Sequence, residues 1–163
     1  MRLQFEELAH RAVKELSRRL RASNTTRWFG FELEAAEPAR AVVVLRVRRH
    51  HRQVHGVVHG GVIAALADTT AALAVYMALP RGTPLATIEM KINFLEPVAG
   101  GTVTAEGRML RRGRNFAVAE CDVRDHNGGL AAKALLTFAI RPTGFRRLKL
   151  GRKPARKKAT RRK

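Results

Sequence analysis

The fold is decided by one stretch of the sequence, which runs from His59 to Leu79 as HGGVIAALADTTAALAVYMAL. It predicts a single long helix over Gly60–Leu79 that ends at Pro80-Arg81-Gly82. The helix is apolar on nearly every face and contains one ionisable residue, Asp68. A helix that is apolar all round is a buried helix, so the rest of the chain must supply the surface that covers it.

The sequence after this helix predicts strands. Four runs of about ten residues have strand composition and are separated by short Gly- and Pro-containing turns: Leu85–Leu95, Thr102–Arg111, Phe116–Asp125 and Leu130–Ile140. Strands joined by short turns are antiparallel. In the first run the apolar residues alternate, which predicts that Ile88, Met90, Ile92 and Phe94 share one face.

The sequence before the long helix predicts three further elements. Apolar residues recur at helical spacing over residues 3–21, which indicates an N-terminal amphipathic helix. Two strands are predicted over Trp28–Glu34 and Ala41–Arg48, with a turn at Glu37-Pro38 between them. About six strands and one buried helix predict an α+β fold in which a curved antiparallel sheet wraps around the central helix.

The charge of the chain is concentrated at its C-terminus. The 163 residues include 32 Lys and Arg against 13 Asp and Glu, which gives a net charge of +19. Eleven of the basic residues lie in residues 146–163, which contain no acid, so residues 1–145 have a net charge of +8. We therefore expect one domain over residues 1–145, followed by a basic, disordered tail that could bind nucleic acid or other anions weakly and in a salt-sensitive manner.

The sequence also indicates the cellular compartment of the protein. A single cysteine, Cys121, excludes an intrachain disulfide and a metal site of several cysteines, which is typical of a reducing, cytoplasmic compartment. Acidic residues stand at positions 6 and 7, where a signal peptide would be apolar. Asp68 would cost about 2.5–3.5 kcal/mol in the middle of a membrane span, so the long helix is expected to be a core helix.

The start of the long helix has the features of a site for a carbonyl oxygen. Backbone N–H groups in the first turn of a helix have no partner within the helix, and glycine lets a ligand approach them closely. Such an N–H group at Gly60 could stabilise an oxyanion. The alternative is that Gly60 and Gly61 only shape the turn that leads into the helix.

Asp68 is the second candidate for a functional residue. Its neighbours on the helix surface are small (Gly61, Ala64, Ala65, Ala71 and Ala72), so the carboxylate has free space beside it. The alternative is a structural ion pair with one of the many arginines. Gly60 and Asp68 are eight residues apart, about 12 Å along a helix, which is too far for both to act on one carbonyl group. A second, antiparallel copy of the helix across a two-fold axis would bring Asp68 close to the Gly60 of its partner.

Other catalytic motifs are absent from the sequence. His50, His51, His55 and His59 lack the spacing and the accompanying carboxylate or cysteine that a metal site would require. There is no P-loop, no dinucleotide-binding glycine pattern and no G-x-S-x-G motif.

Over residues 29–140 the sequence resembles the hotdog-fold acyl-CoA thioesterases of the PaaI-like, phenylacetate-pathway type. The resemblance depends on four motifs in a fixed order: His59-Gly60-Gly61, Leu66-Ala67-Asp68-Thr69, Ile92-Asn93-Phe94-Leu95-Glu96-Pro97 and Arg112-Gly113-Arg114-Asn115. It implies a hotdog fold, a homodimer or homotetramer, and hydrolysis of an acyl-CoA thioester without a metal or other cofactor.

The resemblance also implies roles for individual residues. Asp68 would be the general base or the nucleophile, and the Gly60 N–H would bind the thioester oxygen. His59 and Gln53 would help to hold that oxygen or the water, and the Thr87 hydroxyl would position the water. Gly61, Arg112, Gly113 and Arg114 would contact the substrate, the two arginines through the phosphates of coenzyme A.

One departure from the family pattern concerns the acyl group. Relatives with Asp at position 68 usually have Asn where this chain has Gln53, so the choice between an aliphatic and an aryl acyl group stays open. Two other functions are also open: a non-catalytic acyl-CoA-binding or regulatory module, and association with nucleic acid through the tail.

Overall fold

The computed structural model describes residues 13–141. Helix α1 is described over residues 13–22 and is followed by helix α2, Asn24–Phe29. The long helix is α3, Gly60–Met77, and a short 3-10 helix, Arg49–His51, precedes it. The strands are β1 Phe31–Glu37, β2 Arg40–Arg46, β3 Leu85–Phe94, β4 Thr102–Arg112, β5 Phe116–Arg124 and β6 Leu130–Ile140.

The six strands form one antiparallel sheet in the order β1-β2-β4-β5-β6-β3. Helix α3 connects β2 near one edge to β3 at the other edge and crosses the inner face of the sheet between them. The side chains of α3 that are buried against this face are mostly apolar: Val62, Ile63, Leu66, Ala67, Thr70, Ala71, Leu73, Ala74 and Val75. The predicted α+β architecture, with a curved sheet around one central helix, is confirmed.

Helix α3 lies unusually close to the middle of the sheet. A Cβ atom added to Gly107 of β4 would be 2.8 Å from the carbonyl oxygen of Thr70 and 2.9 Å from the amide nitrogen of Ala71. Both of these atoms belong to the helix backbone, which cannot move aside as a flexible side chain can. Gly107 therefore allows the helix backbone to contact the strand backbone directly.

The predicted strands and the long helix agree with the structure to within two residues at each end, except for β1, which was predicted over Trp28–Glu34 and lies at Phe31–Glu37. Trp28 and Phe29, predicted to begin a strand, lie instead in α2, because the Ser23 side chain caps that helix and Gly30 ends it with a φ of 72°. Strand β1 therefore begins at Phe31 and continues to the predicted turn at Glu37-Pro38. Of the predicted N-terminal helix, residues 13–21 are helical. Residues 3–12 of that helix, the domain boundary at residue 145 and the basic tail lie outside the described residues.

Two β-bulges change which residues face α3. In β3 the pairing with β6 shifts between Thr87 and Glu89, and in β4 the pairing with β5 shifts between Met109 and Arg111. As a result, Thr87 lies opposite Phe138 and faces inward together with Met90, Ile92 and Phe94. The simple alternation predicted for Ile88 is therefore wrong, because Ile88 is the bulged residue.

By length and composition alone, α3 would be able to cross a membrane, with a mean hydropathy of 1.5 over its 18 residues. Half of this stretch is buried inside the protein. In this structure α3 is therefore the core helix that the sequence predicts.

His51 anchors the loop that leads to α3. Its side chain is 1% exposed, its Nδ1 accepts a hydrogen bond of 3.0 Å from the Arg48 N–H, and its carbonyl oxygen accepts one of 2.8 Å from the His59 N–H. Burial, followed by the nearby charges of His50 and Arg48, lowers the pKa of His51 below the ordinary value of 6.5. The neutral imidazole is thus the form that the folded protein accommodates.

Replacing Gly107 with alanine tests the close helix contact. We expect Gly107→Ala to lower the free energy of unfolding by about 1–3 kcal/mol, because the new methyl group would force two backbones apart. Urea denaturation monitored by circular dichroism measures this change. Gly100→Ala is the matched control, since its Cβ would meet only the flexible end of the Arg52 side chain. Equal stability of the two variants would contradict the assigned contact.

The buried imidazole predicts how stability depends on pH. Because the pKa of His51 is lower in the folded state, the unfolded chain binds a proton more readily, so stability falls as the pH drops below about 6.5. We expect the melting temperature of His51→Gln to fall less than that of the wild type between about pH 8 and pH 5. His55→Gln, which changes an exposed histidine of the same loop, should retain the wild-type dependence.

Candidate active site

The start of α3 presents an unpaired backbone donor. His59 is the N-cap residue, and its Nδ1 accepts a hydrogen bond of 2.9 Å from the Gly61 N–H. The neutral imidazole therefore has its hydrogen on Nε2. Among the described residues, the Gly60 N–H has no hydrogen-bond partner. Gly60 is thus the first-turn donor available to a ligand, at the end of the helix where the dipole favours negative charge.

An open cleft lies beside Gly60. Its volume is about 290 Å³, and its walls are mostly apolar: Gln53, Val57, Val58, Gly60, Ile63, Phe94, Leu95, Glu96, Pro97, Val98 and Ala131. The structure thus brings Gln53 and Gly60, two residues to which the resemblance assigns roles, to the same cleft. We call Gly60, His59 and Gln53 the amide site.

Phe94 is a residue of this site to which the sequence assigned no role. A Cβ atom added to Gly60 would be 3.3 Å from Cζ of the Phe94 ring, so the ring packs directly over the glycine. The ring is 55% exposed although it is large and apolar. The alternation along β3 was the signal that placed Phe94 on the inner face.

Asp68 and Thr87 form a second group of polar residues. The Thr87 hydroxyl donates a hydrogen bond of 2.7 Å to Oδ1 of Asp68. The bulge at Ile88 makes this contact possible, because it turns Thr87 towards α3. The other carboxylate oxygen, Oδ2, accepts no hydrogen bond from a described side chain. We call Asp68 and Thr87 the carboxylate site.

The amide site and the carboxylate site are separated within the chain. Gly60 and Asp68 belong to the same regular helix, so they are about 12 Å apart along its axis. Hydrogen-bonding groups that act on one reacting carbonyl lie about 3 Å from it. The two sites in one chain cannot both contact a single carbonyl group.

A partly exposed surface surrounds Asp68. On α3 it comprises the half-exposed side chains of Ala64, Ala65, Asp68, Thr69 and Ala72, and on β3 the exposed inward side chains of Thr87, Met90 and Phe94. Of the residues that the sequence placed beside Asp68, only Ala71 is fully buried, against β4. We call this surface the open face. Strand β3 lies at the edge of the sheet, so one side of its backbone is not paired with any strand in residues 13–141.

Arg112, Gly113 and Arg114 lie at the β4–β5 turn and are exposed. Because of the second bulge, Arg112 lies opposite Ala117 and its side chain reaches α3, where Nη1 donates a hydrogen bond of 3.1 Å to the Ala78 carbonyl oxygen. This contact joins the strand to the C-terminal end of the helix. The Gly113 N–H donates to the Phe116 carbonyl oxygen at 2.7 Å and closes the turn.

The remaining reactive side chains do not form a site. Within residues 13–141, no three His, Cys, Asp or Glu side chains are grouped so that they could hold a metal ion. Cys121 is buried, and burial, aided by the Asp122 charge, raises its pKa to about 12. At neutral pH this thiol stays protonated and does not act as a nucleophile.

Comparison with known proteins identifies the family of this chain. The thioesterase superfamily profile matches residues 55–132. A protein of Saccharolobus solfataricus that bears the name esterase is 33% identical over 130 residues, which are 80% of this chain and 91% of the relative. The 1,4-dihydroxy-2-naphthoyl-CoA hydrolase of Listeria monocytogenes is 28% identical over 112 residues, which are 69% of this chain and 91% of the hydrolase.

A solved structure shows the same similarity in three dimensions. The crystal structure of a thioesterase from Haemophilus influenzae superposes with a TM-score of 0.73 at 30% identity, over 78% of this chain and 89% of the thioesterase. The hotdog fold, the motif around Gly60 and the relatives agree with one another. This chain belongs to the thioesterase superfamily.

Proposed function

We propose that the protein hydrolyses acyl-CoA thioesters in active sites that are shared by two copies of the chain. Its membership of the thioesterase superfamily supports thioester hydrolysis. The similarity to an aryl-CoA hydrolase supports coenzyme A as the carrier of the acyl group.

The observation on which the shared site depends is the separation of Gly60 from Asp68. Two α3 helices that run antiparallel across a two-fold axis, with the axis near Ala64, would put Asp68 of each copy opposite Gly60 of the other. The small side chains of the open face, such as Ala65 and Ala72, would let the two helices approach closely. Burial of Met90 and Phe94 would add apolar contacts. The unpaired edge of β3 would lie at the same interface.

The chemistry of the shared site follows from these positions. The thioester oxygen accepts a hydrogen bond from the Gly60 N–H, which polarises the carbonyl group and stabilises the oxyanion that forms. Asp68 of the second subunit removes a proton from water as the water oxygen attacks the carbonyl carbon. The carbon–sulfur bond then breaks, and the departing thiolate of coenzyme A receives the proton from Asp68. In the alternative, the Asp68 carboxylate attacks the carbonyl carbon and the carbon–sulfur bond breaks, which releases coenzyme A as its thiolate. Water then hydrolyses the resulting anhydride, which restores the Asp68 carboxylate, releases the acid and supplies the proton that the thiolate takes up.

The other residues hold these groups in position. The hydrogen bond from Thr87 fixes one oxygen of Asp68 and leaves the other free to act on water. The Nε2–H of His59 and the amide group of Gln53 can donate to the thioester oxygen or to the water. The Gly61 N–H already donates to His59, so Gly61 would contact the substrate only through its Cα.

The acyl group would occupy the cleft beside Gly60. The apolar side chains of Val57, Ile63 and Phe94 favour a hydrocarbon acyl group. A hydrolysis screen over aliphatic and aryl acyl-CoA substrates would decide between the two classes. Substrate binding without hydrolysis across the whole screen would favour the non-catalytic binding module instead.

Asp68→Asn tests the carboxylate. We expect kcat to fall by about 10²–10⁴-fold, because the amide cannot accept a proton from water. The dimer should persist, since Asn and Asp have nearly the same size, and size-exclusion chromatography would verify this. Unchanged hydrolysis would show that the Asp68 carboxylate is not catalytic and has a structural role instead.

Mixing two inactive variants tests whether the site is shared. Asp68→Asn lacks the carboxylate. Gly60→Pro lacks the N–H donor, and proline is tolerated in the first turn of a helix. Random mixing makes about half of the dimers mixed, and each mixed dimer contains one intact site. About a quarter of the wild-type activity should therefore return.

Gly60→Ala is the matched control for this experiment. It adds a Cβ against the Phe94 ring but keeps the N–H, so it separates crowding from loss of the donor. Mixed dimers that form, as verified by mass spectrometry, yet stay inactive would contradict the shared site.

Arg112→Ala and Arg114→Ala test the predicted contacts with coenzyme A. We expect KM to rise more than kcat falls, because phosphates far from the reacting carbon bind equally well in the ground state and the transition state. Steady-state kinetics with one acyl-CoA measures both values. A fall in kcat at constant KM would show that the arginines act on the chemistry and not on the phosphates.

A further inference from the structure

Trp28 is an exposed aromatic residue to which the proposed function assigns no role. It lies in α2 and is 63% exposed. Its ring is 4.9 Å from the Phe29 ring and 5.5 Å from the His50 ring, measured between centroids, and neither neighbour lies parallel to it. The Phe29 ring is itself stacked on that of Phe31, so the indole contacts packed neighbours. Trp28 therefore presents a positioned aromatic ring to the solvent.

Exposed arginines surround this ring. One precedes Trp28 in α2, and three others lie on either side of His50, in or next to the 3-10 helix. Because that helix rises by about 2.0 Å per residue, the backbone positions of the three lie within about 8 Å, which is the Debye length in physiological salt. Charges at such distances add to one another. We call the following residues the Trp28 patch: Arg27, Trp28, Arg48, Arg49, His50 and Arg52.

The positive charge of the Trp28 patch is not neutralised within its own elements. The sequence contains no Asp or Glu over residues 16–31 or over residues 38–67. Within residues 13–141 none of the four arginines forms an ion pair. The Arg27 guanidinium donates instead to the neutral Oδ1 of Asn24 at 2.6 Å. The patch is therefore open to an anionic partner.

The combination of a ring with guanidinium groups has the chemistry of a surface for single-stranded nucleic acid. Guanidinium groups bind phosphate oxygens through paired, charge-assisted hydrogen bonds. An unpaired base stacks on an exposed aromatic ring, and this contact tolerates any sequence because every base has a flat face. The basic residues 146–163 include no aromatic residue, so they lack the second of these two contacts.

Two other anionic partners fit the patch less well. The bases of a duplex are already stacked on one another, and neither α2, with six residues, nor the 3-10 helix, with three, has the length to lie along a groove. Insertion into a membrane requires several adjacent apolar side chains. In the described residues of α2 and the 3-10 helix, Trp28 is the one large apolar side chain that is exposed.

We propose that the Trp28 patch binds single-stranded nucleic acid, with a base stacked on Trp28 and phosphates bound by the surrounding arginines. None of its residues except the backbone of Arg48 contacts the loop that leads to Gly60 through His51. The inference goes beyond the proposed hydrolysis and does not depend on it. It predicts a binding surface that distinguishes a polyanion with bases from one without.

The fluorescence of the full-length protein gives a direct test. Trp28 is the single tryptophan of the chain, so tryptophan emission reports on the patch alone. The wild type is titrated with oligo(dT) and oligo(rU) of about ten nucleotides, within the range of roughly 4–16 that such surfaces cover. Poly-glutamate serves as the polyanion without bases, and vesicles of phosphatidylcholine and phosphatidylserine serve as the anionic membrane.

We expect an oligonucleotide to quench the emission, because a stacked base quenches the indole, and poly-glutamate to leave it unchanged. The stronger quencher of the two identifies the kind of strand. Absence of quenching by both oligonucleotides would overturn the proposal, and so would equal quenching by poly-glutamate. A shift of the emission to shorter wavelength with the vesicles, without quenching by oligonucleotides, would assign the patch to a membrane instead.

Variants separate stacking from charge, with binding measured by the anisotropy of a labelled oligonucleotide. Trp28→Ala should weaken binding by about fivefold or more, whereas Trp28→Phe, which keeps a ring, should retain most of the affinity. Arg48→Gln combined with Arg49→Gln should reduce the slope of log K against log salt by about 1.4, since each phosphate contact contributes about 0.7. Arg108→Gln combined with Arg111→Gln removes the same charge from exposed positions of β4 and should keep the wild-type slope.

The variants also give results that would contradict the patch. Equal affinities of the wild type and a folded Trp28→Ala would show that no base stacks there. Equal slopes for the two pairs of arginine variants would show attraction by net charge alone. If circular dichroism shows that Trp28→Ala is unfolded, the fluorescence titration and the arginine variants still decide. Hydrolysis of an acyl-CoA should be the same in all folded variants, so failure of the catalytic proposal would leave these binding results unaffected.

Discussion

The close contact between α3 and β4 at Gly107 is the constraint on which the rest of the structure depends. The helix backbone at Thr70 and Ala71 lies against a strand position that has no side chain. This contact sets the depth of the helix within the sheet and fixes its rotation. One side of α3 is buried against the strands as a consequence, and the opposite side, with Asp68, stays half exposed. A helix further from the sheet would leave a cavity beneath it and would move Asp68 away from Thr87.

The helix also orders the functional groups along one axis. Its first turn presents the Gly60 N–H, its middle presents Asp68, and its end lies beside Arg112. A regular helix fixes the distances between these groups, because each residue advances by about 1.5 Å. The same regularity keeps Gly60 and Asp68 too far apart to contact one carbonyl group within a single chain.

The sheet separates charges that neutralise one another from charges that remain available. On its outer face, acids of β4 and β5 pair with neighbouring cations: Glu106 with Arg40 and Arg108, Asp122 with Arg124 and Lys133, and Glu120 with Lys133. The Arg40 hydrogen bond lowers the pKa of Glu106, so this network stays ionised. Arg81 and Arg112, at the end of α3, have no acidic partner among the described residues. Among the described residues, the end of α3 therefore has positive charge that is not neutralised by an acid.

The sequence by itself determined the central helix and the later strands, because each depends on local patterns of apolar residues, turns and glycines. The same local patterns marked Gly60 and Asp68 as candidate site residues. The sequence did not determine that Thr87 would face Asp68 or that Arg112 would reach Ala78. Simple alternation along the strands places both residues on the outer face, and only the bulges at Ile88 and Leu110 turn them inward. Those bulges arise from the pairing of strands that are distant in the sequence. The tertiary structure alone therefore decided which side chains meet at the site.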